Sequence, residues 1–99
     1  MNHFGERIRR LREHNGLKQR QIASCLEIDT PMLSKIERGE RHAKKEHIAV
    51  LSSILRTSYD DLLSLWLADK VYEVVKNEEL ALIAIEIADR ELRTMINKK

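Results

Sequence analysis

The chain has 99 residues, of which 42% are hydrophobic and 34% are charged, and its formal net charge is +2. A chain of this length forms one small domain, and three glycines and one proline are too few for the turns of an all-β protein. No apolar run approaches the ~18 residues of a membrane span, and a single cysteine cannot form an internal disulfide. We therefore expect an all-α, cytoplasmic protein without a membrane partner.

The charges are divided unevenly along the chain. Residues 1–56 contain 12 Lys and Arg against 7 Asp and Glu, which gives +5, whereas residues 57–99 contain 6 against 9, which gives −3. This asymmetry indicates that the first half faces an anion and that the second half has another role.

Apolar residues at helical spacing mark the first two predicted helices. In the first, about 3–15, these residues are Phe4, Ile8 and Leu11. In the second, about 18–26, they are Ile22, Ala23 and Leu26. Each helix is amphipathic, so each is expected to bury one side.

A third helix is predicted at about 30–38. Asp29 is suited to cap its N-terminus, and Pro31 fits the first turn, where a missing N–H costs nothing. Leu33 and Ile36 form its inward side. A basic loop follows over residues 41–45.

Two further helices are predicted before the last third of the chain. The fourth, about 45–55, has an apolar stripe of Ile48, Leu51 and Leu55. Ser58 followed by Asp61 resembles a capping box, so the fifth helix is expected to run from there to about Lys76.

The sixth predicted helix, about 78–97 with Asn77 as its N-cap, is apolar nearly all round from Leu80 to Ala88. One reading is that it packs back on the fifth helix of its own chain, against Trp66, Val71, Val74 and Val75. We expect in addition a homodimer in which the fifth and sixth helices of two chains form a bundle. The expected interface residues are Trp66, Leu80, Ile83 and Ile87.

The second and third helices are joined by a three-residue turn, which is the arrangement of a helix-turn-helix. The stretch LKQRQIASCLEIDTPMLSKIERG resembles the lambda-repressor/Cro-like, or XRE, helix-turn-helix family, and the resemblance covers about residues 4–63. The matching residues are Arg12, Leu17, Gln19, Ile22, Ala23, Leu26, Ile28, Leu33, Ile36, Glu37 and Gly39.

The sequence departs from the family pattern at three positions. Glu27 occupies the turn position usually held by glycine, and it is strained there if the turn needs a positive φ. Lys18 stands where Ser or Thr often caps the second helix. Pro31 lies in the recognition helix, where it can pack against a base but cannot donate a hydrogen bond.

The resemblance implies a helix that reads double-stranded DNA. The base-reading residues would be Thr30, Pro31, Ser34 and Lys35. The phosphate-binding residues would be Gln19, Arg38, Arg41, Lys44 and Lys45. On charge alone, the basic residues of this set would be an ordinary solvated face. The resemblance also implies that Arg12 and Glu37 form a structural ion pair between the first and third helices.

No site for catalysis, a metal, a cofactor or a small molecule is evident in the sequence. The histidines and the single cysteine lack the spacing of metal ligands, and no catalytic motif has a supporting context. We divide the chain into a five-helix helix-turn-helix domain over residues 1–65 and a C-terminal helical extension over 66–99. The expected function is a dimeric transcriptional regulator, typically a repressor, acting on a palindromic operator. The alternative is an antitoxin-like interaction module whose last helix binds another protein.

Overall fold

A computed structural model describes residues 2–98, and this part of the chain consists of six α-helices joined by short turns and loops. They are α1 (His3–His14), α2 (Gln19–Leu26), α3 (Thr30–Glu37), α4 (Glu46–Ile54), α5 (Tyr59–Val75) and α6 (Ala81–Asn97). The predicted all-α fold class is confirmed.

Helices α1 to α5 pack around one hydrophobic core. Each predicted apolar stripe faces this core, because helical spacing brings its residues to one side. Seven of the core side chains are almost fully buried: Ile8, Ile22, Leu33, Ile48, Leu51, Leu55 and Leu62. The hydrophobic positions that define the first four predicted helices are thus those that hold the domain together.

Glu27, in the turn between α2 and α3, has a positive φ, which is unusual for a residue other than glycine. Glu27 has φ 58° and ψ 40°, which lie in the left-handed region. This conformation lets the N–H of Ile28 reach the carbonyl of Ala23 at 3.0 Å and so closes the end of α2. Asp29 then accepts a hydrogen bond from the N–H of Met32 at 2.8 Å, so the predicted cap of α3 is confirmed.

The N-terminus of α1 contacts both α3 and α5. The buried Asp69 of α5 accepts hydrogen bonds from the backbone N–H groups of His3 at 3.2 Å and Phe4 at 2.9 Å. The carboxylate therefore satisfies two N–H groups that a helix start leaves unpaired, and its charge suits the positive end of the helix dipole. This contact ties the middle of α5 to the first turn of the chain.

Gly5 allows α1 to approach the end of α3 closely. A Cβ at this position would press against the backbone oxygen of Ile36 and lie 2.8 Å from that of Glu37. Because backbone atoms cannot move aside as a flexible side chain can, only glycine fits here without shifting one helix.

The first packed unit extends beyond the predicted boundary at residue 65. Trp66, expected at a dimer interface, is only 7% exposed and lies in the core of its own chain, so that assignment is wrong. Its indole belongs to the buried side of α5, whereas the exposed stripe of the same helix starts at Leu67.

Two expectations about the last helix are also wrong. Asn77 does not cap α6, because successive turns, Glu78 N–H to Val75 O and Ala81 N–H to Glu78 O, delay the helix until Ala81. Nor does α6 pack back on α5, since it has no buried residue and forms no extensive contact with α1 to α5. None of the helices within residues 2–98 is both long enough and apolar enough to cross a membrane.

Candidate nucleic-acid interface

The four residues predicted to read bases share one side of α3. Thr30, Pro31 and Lys35 are exposed, and Ser34 is half-buried. The opposite side is anchored in the core by Leu33, Ile36 and Glu37. This division follows from the spacing, because positions i, i+1, i+4 and i+5 of a helix lie next to one another. This side of α3 thus presents a hydroxyl, a rigid apolar ring and an ammonium group to solvent.

Arg38, at the end of α3, is already engaged within the chain. It forms an ion pair with Glu40 at 3.0 Å and donates a hydrogen bond to the hydroxyl of Ser34. The hydrogen bond to Glu40 raises the pKa of Arg38 and lowers that of the Glu40 carboxyl. A phosphate would therefore have to compete with Glu40 for this guanidinium.

The loop between α3 and α4 carries cations that have no internal partner. Arg41, Lys44 and Lys45 are exposed, and none forms an ion pair with any residue between 2 and 98. Between them, Ala43 is 3% exposed and belongs to the hydrophobic core. Its carbonyl accepts a 2.7 Å hydrogen bond from Nε1 of Trp66. The centre of the loop is therefore bound to the core, and its charged side chains lie on the surface.

Glu37 is the centre of a buried polar cluster behind α3. Arg12 donates from Nε to Oε2 at 2.7 Å and from Nη2 to Oε1 at 3.0 Å, which is a bidentate ion pair. The side chains of Arg12 and Glu37 are only 12% and 3% exposed. The hydrogen bonds that Arg12 donates to Glu37 raise the pKa of Arg12 against the opposing effect of burial. Arg12 also donates to the carbonyl of Leu17 at 3.1 Å, so the cluster reaches the segment before α2.

Gln19 and Asn2 complete this cluster. Nε2 of Gln19 donates to Oε1 of Glu37 at 3.0 Å, which places the expected phosphate ligand at the start of α2, beside α3. Nδ2 of Asn2 donates to the backbone carbonyl of Glu37 at 2.8 Å. Helices α1, α2 and α3 are therefore held together by one carboxylate and the peptide group next to it.

Two features of this surface were not predicted from the sequence. Asn2 caps α1 and contacts α3, but its bond to Glu37 spans 35 residues and has no local signal. Arg9 lines an open cleft of about 660 Å³ together with Ser34 and Arg38 of α3, and it pairs with Glu13 at 3.0 Å. The spacing of Arg9, three residues before Arg12, is a signal that places both on adjacent turns of α1.

No metal centre is formed by the residues that the structure describes: between residues 2 and 98, no three His, Cys, Asp or Glu side chains are grouped as ligands. The exposed side of α3 carries polar groups and Lys35, and the loop after it adds Arg41, Lys44 and Lys45, cations of the kind that attract an extended anion.

Comparison with known proteins agrees with this architecture. Residues 3–66 match a family described as a helix-turn-helix domain, and the chain belongs to this family. The family resemblance inferred from the sequence is thus confirmed. The HTH-type transcriptional regulator DdrOP3 of Deinococcus deserti is 38% identical over 58 residues, which are 59% of this chain and 45% of that protein. The chain therefore aligns with less than half of this relative's length. No solved structure matches the chain.

Proposed function

We propose that the protein is a sequence-specific DNA-binding transcriptional regulator with α3 as its recognition helix. The observation that carries this proposal is the exposed side of α3 beside a loop of unpaired cations. The similarity to a protein named as a transcriptional regulator supports the same function. The domain would place the N-terminal half of α3 in the major groove of duplex DNA.

Base recognition is assigned to the four exposed or half-exposed residues of α3. Thr30 offers a hydroxyl and a methyl, and Pro31 offers an apolar surface suited to a thymine methyl. Lys35 can donate to O6 and N7 of guanine. Ser34 can exchange its internal hydrogen bond with Arg38 for one to DNA.

Contacts with phosphates would fix the position and orientation of the domain on the duplex. The proposed ligands are Gln19, Arg38, Arg41, Lys44 and Lys45. Those on the loop are free to bind at once, whereas Arg38 must first leave Glu40. The loop should therefore contribute most of the salt-dependent affinity.

We further propose that the protein acts as a homodimer through α6. Ile85, Ala88, Leu92 and Met95 recur at spacings of three and four residues, which form a seam along the helix. A second apolar side, made of Leu80, Ile83 and Ile87, lies roughly 130° around the helix at 3.6 residues per turn. A helix with two apolar sides requires more than one neighbour to cover it.

A second copy of the chain offers such neighbours. Its α6 can pack along the seam, and its α5 exposes a matching stripe of Leu67, Val71 and Val74. Eight large apolar side chains between residues 80 and 96 are 39–80% exposed. If a fully exposed side chain has an area of roughly 180 Å², these eight expose on the order of 800 Å² of apolar surface per chain. This is about the area that each partner buries in a stable interface. The expected interface thus includes Leu80, Ile83 and Ile87.

A symmetric dimer of this kind reads two half-sites related by a two-fold axis, about one helical turn apart. The operator is therefore expected to be a palindrome. Bound there, the protein would act as a repressor by occupying DNA that the polymerase needs.

Selection of bound sequences from random duplex DNA tests the DNA-binding proposal. The purified protein at near-physiological salt should enrich an inverted repeat with half-sites about one turn apart. Absence of any enrichment from a folded protein would contradict the assignment of α3 as a reading helix.

Disulfide cross-linking tests the dimer. In a Cys25→Ser background, Ala88→Cys should form a covalent dimer on mild oxidation, because this small residue lies in the proposed seam. Arg90→Cys, two residues on and directed away from the seam, is the matched control. Equal cross-linking of the two variants would contradict the proposed packing of α6.

The exposed apolar surface of α6 also suits a second candidate, an antitoxin-like module that binds another protein. Sedimentation of the purified chain separates the two. A dimer in solution supports self-association, whereas a folded monomer at micromolar concentration would favour a different partner for α6.

A further inference from the structure

A buried hydrogen bond from α5 reaches the centre of the basic loop. The indole of Trp66 is 7% exposed, and its Nε1 donates at 2.7 Å to the carbonyl of Ala43, which is itself in the core. Ala43 lies between Arg41 and Lys44, the cations assigned to phosphates. The bond therefore joins the centre of the loop to a helix 23 residues further along the chain.

Little else orders this part of the loop. Within residues 2–98, the segment 41–43 makes no backbone–backbone hydrogen bond, and regular structure resumes only with α4. The buried side chain of Ala43 and the bond to Trp66 both hold the loop against the domain. Because this site is shielded from water, loss of the indole N–H would leave the Ala43 carbonyl unpaired.

We propose that Trp66 is a positioning residue for DNA binding: its indole N–H holds the basic loop in the conformation that directs Arg41 and Lys44 at phosphates. This proposal rests on the proposed DNA-binding function. Trp66 touches no DNA and acts only through the loop. Lys70, whose ammonium group lies 4.1 Å from the centre of the ring, covers the indole from the solvent side.

The test is Trp66→Phe, which keeps an aromatic ring in the core and removes the donor. Binding to a duplex carrying the selected site is measured over a series of salt concentrations. Each lost phosphate contact lowers the slope of log K against log salt by about 0.9, so release of Arg41 and Lys44 should lower it by up to about 1.8 per protomer, or about 3.6 for the proposed dimer. The preferred sequence should not change, because Thr30 and Lys35 are untouched.

Ile8→Val is the control for a general loss of stability, since it removes one buried methyl group without removing a hydrogen bond to the loop. It should lower the melting temperature and leave the salt slope unchanged. An unchanged slope in Trp66→Phe, with wild-type protein binding normally, would overturn the positioning role. Failure of the wild-type protein to bind any duplex would instead contradict the proposed function itself.

A measurement on the wild-type protein keeps the proposal testable if the variant does not fold. Trp66 is the only tryptophan, so its indole N–H gives one NMR resonance. If DNA holds the loop in place, exchange of this proton with solvent should slow when the duplex binds. Unchanged exchange in the bound state would count against the proposal.

Discussion

Replacing Glu37 by glutamine is expected to cause a large loss of stability. The change preserves the shape of the side chain but removes the charge that faces Arg12 at 2.7 Å. Because the Arg12 side chain is only 12% exposed, water cannot fully replace the lost partner. Breaking a buried pair in this way costs about 3–5 kcal/mol, and we expect the lower end, since the amide oxygen can still accept one hydrogen bond.

Thermal unfolding followed by circular dichroism measures this effect. For a domain of this size, 1 kcal/mol lowers the melting temperature by about 4–8 °C, so Glu37→Gln should lower it by more than 10 °C. Glu40→Gln is the matched control, because Glu40 also pairs with an arginine but is exposed, where screening by solvent leaves such a pair little effect on stability. A melting temperature for Glu37→Gln within 3 °C of the control, an order-of-magnitude threshold from the same scaling, would refute the reasoning.

Four further predictions concern DNA affinity and the turn. Lys35→Ala should relax specificity at one position of each half-site by about 1–3 kcal/mol in competition binding, whereas Lys44→Ala should weaken all sequences alike and lower the salt slope by about 1 per protomer, or about 2 for the proposed dimer. Glu40→Gln should strengthen binding to any duplex, because it frees Arg38 to contact a phosphate. The gain should be equal at pH 6 and pH 8, because the lowered pKa of Glu40 keeps the wild-type carboxylate ionised over that range. Weaker binding would contradict the assignment of Arg38. Glu27→Gly should raise the stability by about 0.5–1 kcal/mol in denaturant titration, since glycine adopts φ 58° without strain; a loss of stability would mean that the Glu27 side chain compensates for its backbone.

Local signals were sufficient to predict the helices and the exposed side of α3. Asp29 acts within one turn as the cap of α3, and the spacing of Leu33 and Ile36 alone determines which residues of that helix remain outside. The strained turn at Glu27 was predictable too. The family resemblance indicates a turn position usually held by glycine, and a residue with a side chain is strained there when φ is positive.

Apart from the pair between Arg12 and Glu37, which the family resemblance indicates, the long-range contacts between these elements could not be predicted. The bond between Asp69 and Phe4 joins residues 65 positions apart, and nothing in the sequence near either one indicates it. Trp66 was assigned to the wrong surface because the apolar residues of α5 continue around the helix, and only the packed structure shows where the core ends. The prediction that α6 packs back on α5 was wrong for a similar reason. Apolar composition indicates that a surface is covered, but it does not indicate which chain covers it.

The close approach at Gly5 affects how genetic screens of this protein would be interpreted. A side chain there would push against the last carbonyls of α3 and so displace the reading helix, although Gly5 itself lies on α1 and faces the protein interior. Under the proposed function, variants that lose DNA binding would therefore be recovered at Gly5 as well as at Lys35. A map of DNA contacts drawn from loss-of-function alleles alone would assign a contact to Gly5, although this buried residue acts through the position of α3.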